Sequence, residues 1–446
     1  MQPFATTWAA IQTKTITKYY SKEPSPRAND MAHSTEKREG QSSRLVILFS
    51  SLFLLQLGAA VTAVALPVFV LKNYGVGSEL GIALGLRLIP AVLAGGMAAW
   101  ALDRIDARVV AVVSTLATAA ATAAIPLTGD VVQLYVLSVI GGFTGLFATP
   151  AVMKLRASLI APENAVRANG LIVSAERLPM IIGPAASAGI LVLWDVNLLL
   201  FAEAATTLIA GVLILGLPRP ADDEEQGSEK FSLVAIFNVK LLWSMAGGDA
   251  RTQGYLVTGL FYTAAMNAGR VFLATLAAVS YEGNSQVLGW FLASMAVGAV
   301  LGGLIGSGFS PRVLGPIYLL TNILEGVVWI SMGFAPHLII GCIILAIGGV
   351  LESLATTAFF SDIQLRMNPH AIGRFFSIFV PLTSAAGVVG SLMGAAIVHE
   401  DTLIAAGVVI GLLIAAPLIP YIRTYWRHTE LPTVKRDEAD SNTPQD

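Results

Sequence analysis

The stretch Gly95-Gly96-Met97-Ala98-Ala99-Trp100-Ala101-Leu102-Asp103-Arg104-Ile105-Asp106-Ala107-Arg108 closes one long apolar run and opens the next. Upstream, 79–102 is apolar apart from Glu79 and Arg87. Downstream, 109–127 carries no charge at all. Between them, four of the six residues 103–108 are charged. A hydrocarbon layer ~30 Å thick needs roughly 20 apolar residues in a helix. The two runs therefore read as membrane-crossing helices, and the charged turn as a loop at the water surface. A turn this short makes the two helices antiparallel neighbours.

The same pattern extends over most of the chain. Hydrophobic residues make up 55% of the 446 and charged residues only 13%, about half of what a soluble domain carries, which is roughly 25%. No core hides that much apolar surface in long runs, so a soluble enzyme and a disordered chain are both excluded. Twelve spans are expected, at about 45–71, 79–102, 109–127, 131–153, 168–193, 197–217, 255–281, 286–309, 314–334, 337–361, 375–398 and 402–422. The runs are continuous rather than alternating, so they are helices and not barrel strands. The expected fold class is an all-α membrane protein of twelve helices. The lone Cys342 excludes a disulfide framework and a cysteine metal site. His33, His337, His370, His399 and His428 fall in tails or at span ends. With no GxxxxGK[ST] loop and no HExxH cluster, no metal, cofactor, nucleic-acid partner or enzymatic activity is expected.

The charges orient the spans. With the N-terminus in the cytoplasm, 23 of the 27 Lys and Arg fall on the cytoplasmic side and only Lys72 on the other. That asymmetry is the positive-inside signal. It predicts a multi-pass plasma (inner) membrane protein with both termini cytoplasmic. Residues 1–44 hold no apolar core of a signal peptide and read as a polar cytoplasmic tail. The remaining divisions are a six-helix bundle at 45–217, a cytoplasmic linker at 218–254 with a surface helix near 230–246, a second bundle at 255–422, and a tail at 423–446.

The two bundles repeat. A shift of 207 residues carries Gly95-Gly96 onto Gly302-Gly303, Ala148-Thr149 onto Ala355-Thr356, Pro162 onto Pro369, Arg167 onto Arg374 and Gly183 onto Gly390. One gap-free offset thus maps the first six spans onto the last six. Parallel repeats of this kind build a large group of secondary transporters, with the substrate near mid-membrane between the halves.

The opening stretch resembles the loop 2–3 signature of the major facilitator superfamily, GxxxDRxGR[RK]. Asp103, Arg104 and Arg108 match; Ala99 and Asp106 replace the glycines, and Ala107 the first of the last two basic residues. Asp at the second-glycine position is similar to the branch holding the enterobactin exporter and macrolide efflux proteins. So are Arg167-Ala168-Asn169-Gly170, Gly183-Pro184 and Gly373-Arg374. Span 4, at 131–153, lacks the arginine that many drug/proton antiporters carry there. The resemblance implies a monomeric, proton-coupled exporter of drug-like, siderophore or amphipathic small molecules working by alternating access. It also implies a cytoplasmic gate at Asp103, Arg104, Arg108 and Arg374. A carboxylate favours the positive end of a helix, so Asp103 near the start of span 11 would lock that side. The same fold also serves importers and lysolipid flippases. A non-transporting receptor or sensor is the alternative of another class, and the short tails leave it no signalling domain.

Seven charges lie within spans: Arg87, Glu176, Arg177, Glu203, Arg270, Glu325 and Glu352. Each costs roughly 2.5–3.5 kcal/mol or more in lipid, so each needs a cavity or a partner. In the superfamily arrangement spans 1, 4, 7 and 10 line the cavity and 3, 6, 9 and 12 face outward. Arg270 and Glu352 then rank first, and Glu203 and Glu325 last. The expected cavity residues are Gln56, Arg87, Asn267 and Arg270, with aromatics such as Phe261, Tyr262 and Trp290. Glu352 and Glu176 are the expected proton-coupling carboxylates.

Overall fold

The computed structural model describes residues 28–159, 165–218, 239–246, 249–281, 286–335, 337–367 and 369–426; the side chains at 28–43, 95, 96, 99, 157–159, 165–175, 239, 369–371, 373 and 374 lie outside that description. The described residues contain helices and no strand. Twelve long helices follow one another among them. The first six are α1 (Ala28–Tyr74), α2 (Ser78–Arg104), α3 (Ala107–Ala124), α4 (Val131–Leu159), α5 (Ala165–Leu193) and α6 (Val196–Leu215). The second six are α7 (Ala250–Ser280), α8 (Gln286–Gly306), α9 (Leu314–Met332), α10 (Leu338–Arg366), α11 (Pro369–Ile397) and α12 (Leu403–Ala415). After α12 the chain runs on in 3-10 turns to Tyr421 and a last helical turn, Ile422–Trp426. Ten of these helices are long and apolar enough to cross a membrane. The other two, α2 and α7, have 27 and 31 residues, ~40 Å or more at 1.5 Å per residue. They are also the helices that carry Arg87, and Asn267 with Arg270.

Acidic residues start several helices. Asp106 caps α3 by accepting from the Arg108 backbone N–H at 2.8 Å, which is a local reason for aspartate in the glycine position of the loop signature. Asp195 caps α6 in the same way. Between α1 and α2 the chain turns through Gly75 at φ +80°, a left-handed backbone that glycine adopts without strain. The turns 105–106 and 307–313 lie on one face, called here the basic face. The turns 75–77, 128–130, 194–195 and 333–335 lie on the other, the acidic face.

The packing repeats as the sequence does. The pairs α2–α4, α3–α4 and α3–α6 in the first half recur as α8–α10, α9–α10 and α9–α12 in the second. Gly141-Gly142 and Gly348-Gly349 are a further pair of positions 207 residues apart. A Cβ on Gly142 would stand 2.0 Å from the Arg87 carbonyl oxygen, and one on Gly349 1.9 Å from that of Met295. Each glycine lets two helix backbones touch.

Among the described residues the seams between the halves lie toward one side. Toward the acidic face a single apolar core takes Val64, Leu134 and Leu200 from the first half and Phe272, Phe291 and Ile410 from the second. Toward the basic face there are two separate cores. One holds Leu48, Leu102, Val110 and Leu155; the other holds Tyr255, Leu319, Phe375 and Leu418. The seams follow the repeat. Gly81 on α2 meets Ser391 and Ala395 on α11, and Gly289 on α8 meets Pro184 and Ala188 on α5. Residues 184 and 188 become 391 and 395 under the shift of 207. Gly387 on α11 still touches Leu88 on α2. Past that level, no hydrogen bond or ion pair joins the halves among the described residues. Among the described residues the halves are seamed together toward the acidic face.

Two expected boundaries move. α7 begins at Ala250, inside the expected linker, capped by Asp249, which accepts the Thr252 hydroxyl at 2.7 Å. α10 extends to Arg366, so Asp362 and Arg366 belong to a helix end rather than to a loop. Of the expected surface helix, Val239–Met245 is helical and the earlier part lies outside the described residues.

At the acidic face Lys72 pairs with Asp195. The Asn197 backbone N–H and then Lys72 hold the Asp195 carboxyl below its ordinary 3.8. A lowered carboxyl contributes stability above that value and loses it as pH falls through the folded one. Both side chains are about half exposed, so screening limits the pair to about 0.2–1 kcal/mol. Lys72→Met is expected to lower the unfolding midpoint by a correspondingly small amount at neutral pH, and by nothing measurable once Asp195 is protonated at low pH or in high salt.

Candidate functional site

A cavity of about 250 Å³ lies in the basic-face half of the second bundle, between α7, α9, α10 and α11. Six rings line it: Tyr262, Tyr318, Phe359, Phe360, Phe376 and Phe379. Phe359 stacks on Phe379 with centroids 5.8 Å apart, and Phe360 on Phe376 at 5.5 Å. Such offset stacks fix the rings as flat walls. Thr263, Asn322, Thr356 and Thr383 supply the polar rim.

Helical spacing places charge at the deep end of this cavity. Glu352 stands three and four residues before the lining residues Ala355 and Thr356 on α10. Arg270 stands seven residues after Thr263 on α7. Both spacings keep one helix face. Arg270 is exposed although it lies in the middle of a long helix. Its charged neighbours are Glu352 and, from the other half, Arg87. Glu352 also feels Arg177 on α5. A charge with neighbours on both halves faces the space between them. None of these groups forms a direct ion pair with another.

The remaining expected site residues are placed as follows. Arg87 lies over Gly141 of α4, with its guanidinium carbon 4.0 Å from where a Cβ would stand. Gln56 is half-buried on α1. Asn267 is buried and donates to the Thr263 carbonyl at 2.9 Å, at the crossing of α7 with α11. Of the three expected aromatics Tyr262 lines the cavity, whereas Phe261 and Trp290 do not. Glu176 pairs with Arg156 of α4 at 3.4 Å. Asp103 is exposed and has no ion pair among the described residues. Arg104 lies over the Trp100 ring, 4.7 Å from its centroid. Arg108 donates to the Leu215 carbonyl at the end of α6, where a cation suits the helix dipole. The Arg374 side chain lies outside the described residues.

Two sets of charges stand differently from the expectation. Glu203 and Glu325, ranked last as residues of outward-facing helices, are 2% and 0% exposed. Thr122 donates to Glu203 Oε1 at 3.4 Å and Tyr262 to Glu325 Oε1 at 3.1 Å; the Oε2 atom of each glutamate has no hydrogen-bond partner. Their helices face the core with one side and the surroundings with the other, and an acid costs least on the inner side. The second set was counted as surface charge. Asp362 Oδ2 accepts from Tyr255 Oη at 2.7 Å and forms ion pairs with Arg366 Nε at 3.0 Å and Arg251 Nη1 at 3.4 Å. Arg366 also reaches Asp249 at 3.4 Å, and Arg251 donates to the Tyr425 carbonyl at 2.9 Å. The Asp362/Arg366 spacing of four residues at the end of an apolar run was the available signal, since i,i+4 charges of opposite sign meet on a helix.

The model of the Major Facilitator Superfamily matches residues 48–391. The chain belongs to that superfamily. As a major facilitator protein it is a multi-pass membrane transporter of small molecules and not an enzyme. Its relatives include the multidrug efflux pump Tap of Mycobacterium tuberculosis, 26% identical over 385 residues that cover 80% of this chain and 87% of that one. The enterobactin exporter EntS of Escherichia coli is 25% identical over 274 residues, 60% of this chain and 62% of its own length. Among solved major facilitator structures, a variant of the nucleoside transporter NupG superposes with a TM-score of 0.70 at 12% identity, over 86% of this chain and all of that one. A bacterial homologue of the human lysosomal transporter Spinster, inward-facing and unoccupied, gives 0.68 at 14%, over 88% and 99%. These two likenesses bear on the fold alone.

Proposed function

We propose that the chain is a proton-coupled exporter of flat, amphipathic or aromatic small molecules, drug-like or siderophore-like, that works by alternating access. The aromatic cavity carries this assignment. Six rings and a few hydroxyl and amide groups suit a planar, weakly polar cargo, and the cavity lies in the half of the molecule where the two cores are separate. The relatives named for efflux favour export over import. The charge asymmetry favours the basic face as cytoplasmic, with both termini inside, the plasma (inner) membrane as the location, and a cavity that loads from the cytoplasm. In this scheme the bundles 45–217 and 255–422 rock about the glycine seams as a monomer. Arg87, Arg270, Gln56 and Asn267 surround the cargo path. Glu352 takes up and releases the proton as its arginine neighbours approach and recede, since a nearby cation favours the ionised carboxyl. Glu176 does the same where it parts from Arg156. Asp103, Arg104, Arg108 and Arg374 close the cytoplasmic side in the state opposite to the one described above.

Inverted membrane vesicles test this with a pH-sensitive dye while aromatic dyes, macrolides and catecholate siderophores are added in turn. Dye recovery with one cargo class is expected in the unaltered protein and is expected to be lost in Glu352→Gln at equal protein level. Asp103→Asn is expected to slow it without changing which cargo works. Cargo uptake with no proton signal would overturn the coupling, and uptake indifferent to Glu352→Gln would overturn that residue's role.

A further inference from the structure

Glu325 is a fully buried acid that the coupling scheme leaves unused. It sits near the middle of α9, one turn after the cavity residue Asn322. No Lys or Arg forms an ion pair with it. Its Oε1 accepts the Tyr262 hydroxyl at 3.1 Å, the Trp329 side chain is a further donor near the carboxyl, and no hydrogen bond reaches Oε2 among the described residues. The groups around it come from every element packed there: Tyr262 of α7, Tyr318 and Trp329 of α9 itself, and Glu352 of α10. The described part of α12, Leu403–Ala415, contributes no titratable side chain. Glu352 has Arg270 and Arg177 as further neighbours. A bare carboxylate in such a place, next to a second acid and away from water, is very costly, and the usual resolution is a bound proton. Tyr262 has a second role, because its ring lines the aromatic cavity. One side chain therefore touches both the cargo space and the buried acid.

We propose that Glu325 is the buried proton-holding carboxyl of the second half, and that Tyr262 ties its protonation to occupancy of the aromatic cavity. A cargo that turns the Tyr262 hydroxyl away removes a donor to Oε1 and favours the protonated acid. A cargo that leaves it in place favours release. This rests on the proton-coupled reading for its purpose, though not for its detection.

The test is an infrared pH titration of the purified full-length protein, following the carbonyl stretch of protonated carboxylic acid, first alone and then with ethidium as a flat aromatic probe. A protonated band at neutral pH is expected in the unaltered protein and is expected to be lost in Glu325→Gln, an isosteric change that keeps the site neutral. In Tyr262→Phe the band is expected to persist to higher pH, because a donor to the ionised form is gone. Ethidium is expected to move the band in the unaltered protein and to leave it still in Tyr262→Phe. An unchanged band in Glu325→Gln overturns the proposal while leaving coupling through Glu352 intact. An ethidium shift that survives in Tyr262→Phe, or none in the unaltered protein under conditions where ethidium fluorescence shows binding, overturns the role of Tyr262. A band lost in Glu325→Gln alongside transport that ignores the pH gradient would end the coupled reading and leave the proton on Glu325.

Discussion

Asp362→Ala is expected to destabilise the protein by about 3–5 kcal/mol, the usual cost of removing one partner from a buried ion pair. Asp362 is wholly buried, and the side chains it serves, Arg251 and Arg366, are 3% and 4% exposed. One oxygen takes a phenol and both guanidinium groups. Without it Arg251 keeps the Tyr425 carbonyl among its described partners, and Arg366 loses the nearer of its two described acids, keeping Asp249 at 3.4 Å. The two cations then stand close together in a packed interior. Gly315 of α9 leaves no room for relaxation, since a Cβ there would stand 1.7 Å from Arg251 Nη2. The unfolding midpoint in detergent micelles is the measurement, and a fall no larger than that of Lys72→Met would contradict the account. The triple change Arg251→Met, Asp362→Leu, Arg366→Met is expected to recover much of the loss, because it leaves no uncompensated charge among those three positions.

Gly289→Leu is expected to shift the molecule away from the state closed at the acidic face. A Cβ at 289 would lie 2.7 Å from the Pro184 carbonyl oxygen and from the Ala188 Cβ, contacts that α5 and α8 relieve only by parting. Overpacking a tight contact costs roughly 1–3 kcal/mol. In the alternating-access scheme proposed above, the cost applies to one state alone, because the seam opens in the other. A difference of that size changes a two-state ratio by roughly 5–150-fold. Gly81→Leu is expected to act in the same direction through the related seam, since its Cβ would meet the Ser391 carbonyl at 2.5 Å. Spin labels on Val132→Cys and Ile339→Cys, in a Cys342→Ser background, report the outcome. Both positions are strongly exposed at the acidic-face ends of α4 and α10. The longer label distance is expected to gain population, and transport to slow. An unchanged distance distribution with a well-folded protein would show that the seams do not hold the closed state.

These two tests fall on features of unequal legibility. The glycine seams lie in runs that were recognised as helices, yet nothing in Gly81 or Gly289 distinguishes them from the chain's other glycines. What marks them is the partner backbone that arrives from the other half. Asp362, Arg366 and Arg251 were counted among surface charges because charge ends an apolar run when read one helix at a time. In the folded protein they neutralise one another, so α7 and α10 extend further than their hydropathy. Glu325 and Glu203 were visible as charges within spans. Their facing was not, because a helix at the edge of a bundle still turns one side inward. Tyr262 was picked out as an aromatic candidate, while Phe359, Phe360, Phe376 and Phe379 were not, since stacked rings from two helices look like ordinary packing residues in a linear text.

By itself the sequence determined that this chain is a helical membrane protein, that it is built from a repeat 207 residues long, and that its signature loop is that of a major facilitator protein. Those properties follow from local chemistry. Lipid demands about 20 apolar residues per crossing, and it makes every buried charge conspicuous. The tertiary structure decided where the glycine seams join the halves, which acids are enclosed, and where an aromatic cavity forms. Each of those depends on groups brought together from helices far apart in the chain. The energy of a charge, a glycine or a ring there is set by the neighbour it meets and not by the residues beside it in sequence.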